Sequence, residues 1–310
     1  MNPLVSIVIP VFEREHLIER TLDTIHRQTY RPMEVIIVDN GSSDKTLDKV
    51  RAWRQKTDKE ITVQILEEKK HGAPFARQKG FHNTHGEYLI FFDSDDEMHP
   101  DLISLAINNF HRYPDTDIVC WKCRIHKLDG KVKIPPLNIK HPLEGHLIHS
   151  LLRTQGYMTK KTFFSKTEGW SKPLQVWNDL ETGFRLLQLN PRIRRINKIL
   201  VEVNCQHLSL TGKSFSEKKG EWEKSIEEIR RNYISSDGSF QLNTEKILTY
   251  REVILSAQYF REGSFKAAKE LFDKALQNKK FVDKMLLAFA FHYTRLGGRG
   301  AWKLIRCFYL

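Results

Sequence analysis

Along the first 120 residues, short unbroken apolar runs take turns with stretches in which apolar residues recur every three or four positions. "LVSIVIPVF" is one such run, β-branched and interrupted only near its end by a proline. "EHLIERTLDTIHRQ" then sets Leu17, Ile18, Leu22 and Ile25 on one helical face. "MEVIIVDN" predicts a second strand, and "DKTLDKVRAWRQK" a second helix with Ser43 or Asp44 as its cap. "TVQILEE", "PFARQKGFHNT" and "YLIFFDSDD" continue as strand, helix and strand. Strands that are apolar throughout, set between helices, predict a parallel sheet covered on both faces. In such sheets ligands bind beyond the carboxyl ends of the strands. The polar clusters "PVFERE", "DNGSSD" and "DSDD" stand at those ends, so three loops are expected to converge on one crevice.

From about residue 121 the pattern loosens, and Pro135-Pro136 and Pro142 mark loops. Helical spacing returns in "HLIHSLLRT" and "LETGFRLLQ", and "ILVEVN" reads as a strand. Beyond Gly212 the chain turns polar. From Thr244 onward it is helical, and "ILSAQYFREGSFKAAKELFDKALQ" resembles one tetratricopeptide-type helix pair turning at Glu262-Gly263-Ser264. One such unit is too few for a solenoid. The expected division is an α/β domain over residues 1–240 and a helical appendage over 241–310.

Charge sharpens this picture. The net charge of +12 and pI near 9.4 point to an anionic partner: a nucleotide, a phospholipid surface or nucleic acid. No aromatic single-strand platform or nucleic-acid motif accompanies it, which argues against nucleic acid. Cys120-Trp-Lys-Cys123 lacks the second half of a zinc site and lies in the strand-like "DIVCWKCRI", so ordinary half-buried, reduced cysteines are expected. No apolar stretch reaches the ~18 residues needed to span a bilayer, which places the chain in the cytoplasm or on the cytoplasmic face of a membrane. Against the basic background, "FFDSDDEM" gathers four acids just after an apolar run. Carboxylates set near a sheet need hydrogen bonds, countercharges or a metal to offset their desolvation.

"VSIVIPVFERE", "VIIVDNGSSDKT", "ARQKG", "FFDSDD" and "WNDLETGFR", in that order and spacing, resemble glycosyltransferase family 2 over about residues 3 to 210. The resemblance implies a GT-A fold, a Rossmann-like and mostly parallel sheet between helices, and inverting sugar transfer from a nucleotide-sugar donor. It divides the first domain into a nucleotide-binding half, 1–120, and an acceptor half, 121–240. Pro10, Val11, Phe12 and Glu13 of the first loop become candidate donor-binding residues. Asp39 stands where the family reads the nucleoside, although by position alone it is a turn aspartate. Asn40 replaces a second aspartate common in relatives.

Asp93-Ser94-Asp95 matches the family's D-x-D motif. Pyrophosphate and carboxylate oxygens together suit octahedral Mg²⁺ or Mn²⁺, with Asp95 as the expected ligand, Asp93 nearer the ribose, and Asp96 as an alternative. Arg77 matches an arginine that meets donor phosphate or the acidic cluster; Lys70 and Gln78 stand where relatives carry asparagines. Asp179 aligns with the second acid of an E-D motif whose first acid is here Asn178. It is the candidate base that takes the proton of the acceptor hydroxyl, and it is also placed to cap its helix. Glu181 and Arg185 are expected to orient that helix. His207 occupies a metal-binding position of many relatives. Trp170 and Trp177 flank the base, to stack on a sugar or to pack in the core.

The last segment, "TRLGGRGAWKLIRCFYL", mixes basic residues with Trp302, Leu304, Ile305, Phe308, Tyr309 and Leu310. It is read as a peripheral membrane contact, with docking on its own domain as the other choice. The whole is read as a metal-dependent transferase acting on a glycan or lipid-linked glycan in polysaccharide or cell-envelope synthesis. The rivals are a catalytically silent nucleotide-binding scaffold and, more distantly, a nucleotidyltransferase.

Overall fold

Val5–Val11 (β1), Ile18–His26 (α1), Met33–Asp39 (β2), Thr46–Lys56 (α2), Ile61–Glu67 (β3), Ala73–His82 (α3) and Tyr88–Phe91 (β4) succeed one another in the computed structural model in the order the apolar pattern predicts. The structure describes residues 2–57, 59, 61–170, 174–206, 214–232 and 238–309. β1 pairs in parallel with β2 on one side and β4 on the other, and β2 pairs in parallel with β3. Every residue of β1, β2 and β4 is buried, which is why their sequences are apolar without alternation. The register Val11↔Asp39↔Glu67 brings three carboxyl ends to one edge of the sheet, and Phe91, paired with Val8, ends the fourth strand towards it.

The chain continues through Glu97–Met98 (β5), Leu102–Arg112 (α4), Ile118–His126 (β6), Val132–Lys133 (β7), Pro142–His149 (α5), Tyr157–Lys160 (β8), Lys161–Phe164 (α6), Asn178–Gln188 (α7) and Ile193–Asn204 (β9). Among the described residues the sheet has nine strands in the order β3-β2-β1-β4-β8-β6-β9-β5, with β7 on the flank of β6. β8 enters antiparallel between β4 and β6, so the sheet is mixed beyond its parallel half. One core packs Leu22 and Ile25 of α1 and Leu102 and Ile107 of α4 against one face. A second packs Ala76 and Phe81 of α3 and Leu186 and Leu187 of α7 against the other. Gly80 lets α3 lie close on the strands: a Cβ there would stand 2.3 Å from Cγ1 of Val8. Cys120 and Cys123 are unbridged and buried in β6, and burial pushes both thiols up to about 12.

Two compact units divide the chain, Met1–Gln206 and His207–Leu310. The division lies upstream of the expected position 240 because Glu221–Arg231 (α8) is tied to the helix after it. Arg230 donates to Glu245 and to both carboxylate oxygens of Glu252. Those partners lie on Gly238–Arg261 (α9), which is followed by Phe265–Leu276 (α10), Phe281–Arg295 (α11) and Ala301–Tyr309 (α12). The α9–α10 pair turns through Gly263, at φ 81°, as expected. In α12 the side chains of Trp302, Ile305 and Tyr309 are buried within this unit; Trp302 lies on Tyr250 at 4.8 Å between ring centres, and Lys246 Nζ donates to the Tyr309 carbonyl at 2.6 Å. These three residues therefore dock internally, while Leu304 and Phe308 stay exposed. Among the described residues no helix is long and apolar enough to cross a membrane.

Candidate active site

The loop after β1 and the loop after β2 are clasped together. Glu13 takes the left-handed conformation, φ 50°, and its Oε1 accepts from the Ser43 amide at 2.8 Å and hydroxyl at 2.9 Å. Val11 is buried in the core, so its side chain stays off the crevice, whereas Phe12 is about half exposed and meets His71 edge-on at 6.4 Å. Asp39, at the end of β2, accepts from the amides of Gly41 and Ser42 at 3.1 and 3.2 Å. The turn-capping reading of Asp39 thus holds, and it leaves nucleoside contact as a second use of the same carboxylate.

Asn40 has a specific task. Its Nδ2 donates to the carbonyls of Glu68 and Lys70, both at 2.8 Å, and its Oδ1 accepts from the Gly72 amide at 2.6 Å. An aspartate could make only the last of these, because an ionised carboxylate does not donate. The departure from the family pattern at position 40 therefore fastens the 68–72 loop, His71 included, over the end of β2. Gly72, at φ 127°, then opens α3.

Arg77 is the hub. Its Nη2 donates to Asp93 Oδ1 at 2.7 Å and its Nη1 to Asn178 Oδ1 at 2.9 Å, while its guanidinium lies 4.6 Å from the centre of the Trp170 ring. Asp93 and Asn178 come from opposite halves of the domain, 85 positions apart, yet one arginine holds both. Trp170 is buried between this guanidinium and Phe91, so it packs in the core rather than offering a free face to a sugar. Gln78 accepts from the Trp170 amide at 2.8 Å and so holds the same turn. Glu181 and Arg185 form a two-pronged pair at 2.5 and 2.9 Å, and Arg185 also donates to the carbonyls of Thr167 and Gly169, tying α7 to the turn before Trp170.

The three neighbouring acids have separate environments. Asp96 is buried and accepts from Gln155 Nε2 at 2.5 Å and from the Asn204 amide at 2.9 Å; burial and the charges of Asp93 and Asp95 push it well above the ordinary carboxylate range. It is a structural acid that pins the loop to β9. Asp95 has an ion pair of 3.7 Å with Arg14 Nε, and burial followed by the Asp93 charge raises it to about 6. A crowded carboxylate held by one long ion pair fits a divalent cation, which would relieve the repulsion and prefers such oxygen donors. Among the described residues no three His, Cys, Asp or Glu side chains converge into a closed cage. His207 lies outside the described residues.

Asp179 follows Trp177, which is left-handed at φ 48°, in the first turn of α7. Its Oδ1 accepts from the Leu180 amide at 2.9 Å. Burial raises its carboxyl, the Arg77 charge opposes that, and Asp93 adds to it. Arg77, Asp93 and Asp179 thus share one electrostatic site. Gln155, Arg14 and Asn204 belong to the same cluster and were not singled out from the sequence. Arg14 at least stands in the quoted "PVFERE", whereas Gln155 lies in the unpatterned stretch and carries no signal.

The family model described as "Glycosyl transferase family 2" matches residues 6–172. An uncharacterised glycosyltransferase of Rickettsia typhi is 26% identical over 198 residues, which is 61% of this chain and 60% of that protein. The matched stretch thus spans about three fifths of that relative. S. aureus TarS in complex with UDP-GlcNAc is 17% identical, with a TM-score of 0.66 over 98% of this chain and 91% of that one. A mannosyltransferase from Pyrobaculum calidifontis in complex with GDP-Man and Mn²⁺ is also 17% identical, with a TM-score of 0.61 over 97% and 89%. Both structures establish the fold, which is GT-A.

Proposed function

Because the chain belongs to glycosyl transferase family 2, we propose that its crevice moves a sugar from a nucleotide-sugar donor, UDP-linked, to a hydroxyl of a glycan or lipid-linked glycan, with inversion at the transferred carbon. The carrying observation is the Arg77 bridge, which sets the acidic loop and the head of α7 on one site. Pro10, Phe12 and Glu13 of the first loop, Asp39 and the 68–72 loop frame the nucleoside side. Asp93, held by Arg77, faces the ribose and phosphates. The bound nucleotide sugars of the two solved structures support the donor class, and Mn²⁺ in one supports the metal.

Asp95 would hold a divalent cation, Mn²⁺ or Mg²⁺, with His207 as a second candidate ligand. When bound, that cation supplies positive charge to the leaving diphosphate. Asp179 does the proton chemistry: its carboxylate accepts the proton of the acceptor hydroxyl as that oxygen attacks the face opposite the leaving group. Arg77 favours the charged form of Asp179, against burial, while positioning Asp93. A raised carboxyl is a stronger base than a free aspartate, and the Arg77 charge opposes the burial that would keep it neutral. The silent-scaffold reading is disfavoured, since a binding protein needs neither an acid set at Asp179 nor one at Asp95.

A panel of nucleotide sugars incubated with Mn²⁺ tests the proposal through release of nucleoside diphosphate. Release of pyrophosphate from a nucleoside triphosphate and a sugar 1-phosphate, with no diphosphate released from any nucleotide sugar, would identify a nucleotidyltransferase, and no turnover with either substrate class would leave the scaffold. In calorimetric titration with UDP, Asp95→Ala should abolish the gain in affinity that Mn²⁺ gives the natural chain. An unchanged gain would remove Asp95 from the metal site.

A further inference from the structure

The second unit carries an apolar surface that its own packing leaves uncovered. Seven of the thirteen exposed large apolar side chains among the described residues fall between Phe281 and Phe308. On α11, Phe281, Met285 and Phe289 recur every fourth position and so share one stripe, beside Val282; they are 76, 58 and 48% exposed. The opposite face of α11 is buried through Leu287, Ala290 and Phe291, and Phe291 packs on Phe272 at 4.5 Å between ring centres. α11 is therefore apolar on both faces, and only one is needed to close the core. On α12 the pattern repeats: Trp302, Ile305 and Tyr309 face inward, while Leu304 and Phe308 stand outward at neighbouring turns.

Charge tells what meets this surface. From Lys279 to Tyr309 the chain has seven basic side chains and a single acid, Asp283. Lys280, Lys284, Arg299 and Lys303 are exposed among the apolar residues rather than gathered elsewhere. Exposed Phe, Met and Leu ringed by Lys and Arg suit an interface that is apolar below and anionic above. A second copy of the same face would instead bring like charges together.

We propose that the outward faces of α11 and α12 bind the surface of a bilayer rich in anionic phospholipid, with Met285, Phe289, Leu304 and Phe308 entering the headgroup boundary and Arg299 and Lys303 meeting the phosphates. This surface differs from the one the sequence suggests, because Trp302, Ile305 and Tyr309 are committed to the core. The proposal holds whether or not the crevice transfers sugar, since no crevice residue takes part.

Flotation of the full chain with vesicles of phosphatidylcholine plus phosphatidylglycerol, against phosphatidylcholine alone, tests it at low and high salt. Binding should require phosphatidylglycerol and fall by about tenfold or more at high salt. The double variant Met285→Ser, Phe289→Ser should lose about tenfold or more in partitioning with its melting temperature kept, because both side chains are already in water. Should that variant melt early, Arg299→Glu with Lys303→Glu decides by the same loss. Failure of the natural chain to float with anionic vesicles overturns the proposal, as does full binding by the folded variants. Self-association in sedimentation velocity, abolished by the serine variant and unaccompanied by vesicle binding, would assign the face to a second copy and overturn it equally.

Discussion

Asp179 shows how a single carboxyl is set between opposing forces. Burial favours its neutral form, and Arg77 favours the charged one. Because its value is raised, the base form disappears at a higher pH than for a free aspartate: turnover should be full above this raised value and fall as pH drops through it. The limb should lie above the ordinary carboxylate range in a kcat profile measured at saturating donor. Asp179→Asn preserves the shape and the Leu180 amide contact but takes no proton, so transfer should fall by about 10² to 10⁴ with donor affinity little changed. Weak donor binding with normal turnover at saturation would make Asp179 a binding residue instead. The same balance acts away from the crevice at Glu34. There burial, which would raise the carboxyl, is outweighed by the Ser6 hydroxyl, the His85 amide and ring and the Gly86 amide, which hold it below its usual range.

At the scale of elements, Asn40 decides where the loop between β3 and α3 lies. Asn40→Asp removes both donated bonds and sets a carboxylate against two carbonyls, at a cost of about 1–3 kcal/mol. The loop carrying His71 should loosen, seen as a raised KM for donor with kcat nearly kept. Much of this scaffold was legible beforehand. β1, β2 and β4 are unbroken apolar runs because parallel strands are buried on both faces, and α1 shows its stripe through Leu22 and Ile25. β8 was not legible: "YMTK" is four residues long, and only its place between β4 and β6 makes it a strand. The acids of the site stood out by motif, whereas Arg77 and Asn178 are 101 positions apart and Gln155 reaches Asp96 across 59. Such pairings arise from tertiary packing and leave no local pattern. Trp170 illustrates the reverse case, an aromatic read as a sugar-stacking candidate that the core claims.

For the whole molecule, separate cores imply separable stabilities. Arg230 lies between Glu245 and Glu252, and Glu252 is buried with Lys274 as its other cation at 4.0 Å. Arg230→Met leaves that carboxylate short of its main partner and should cost the second unit about 3 kcal/mol. Calorimetry should show its transition lowered and that of the first unit in place; a uniform shift of one transition would mean a single cooperative block. The basic, apolar outward faces of α11 and α12 have a further consequence, in dimensionality. A chain resting on a lipid surface searches for lipid-linked acceptors within a thin layer, so the local acceptor concentration follows surface density rather than bulk volume. The apparent KM for a lipid-linked acceptor, expressed in bulk units, should therefore fall when the same amount of acceptor is loaded into fewer, more densely loaded anionic vesicles, while the KM for the water-borne donor stays the same.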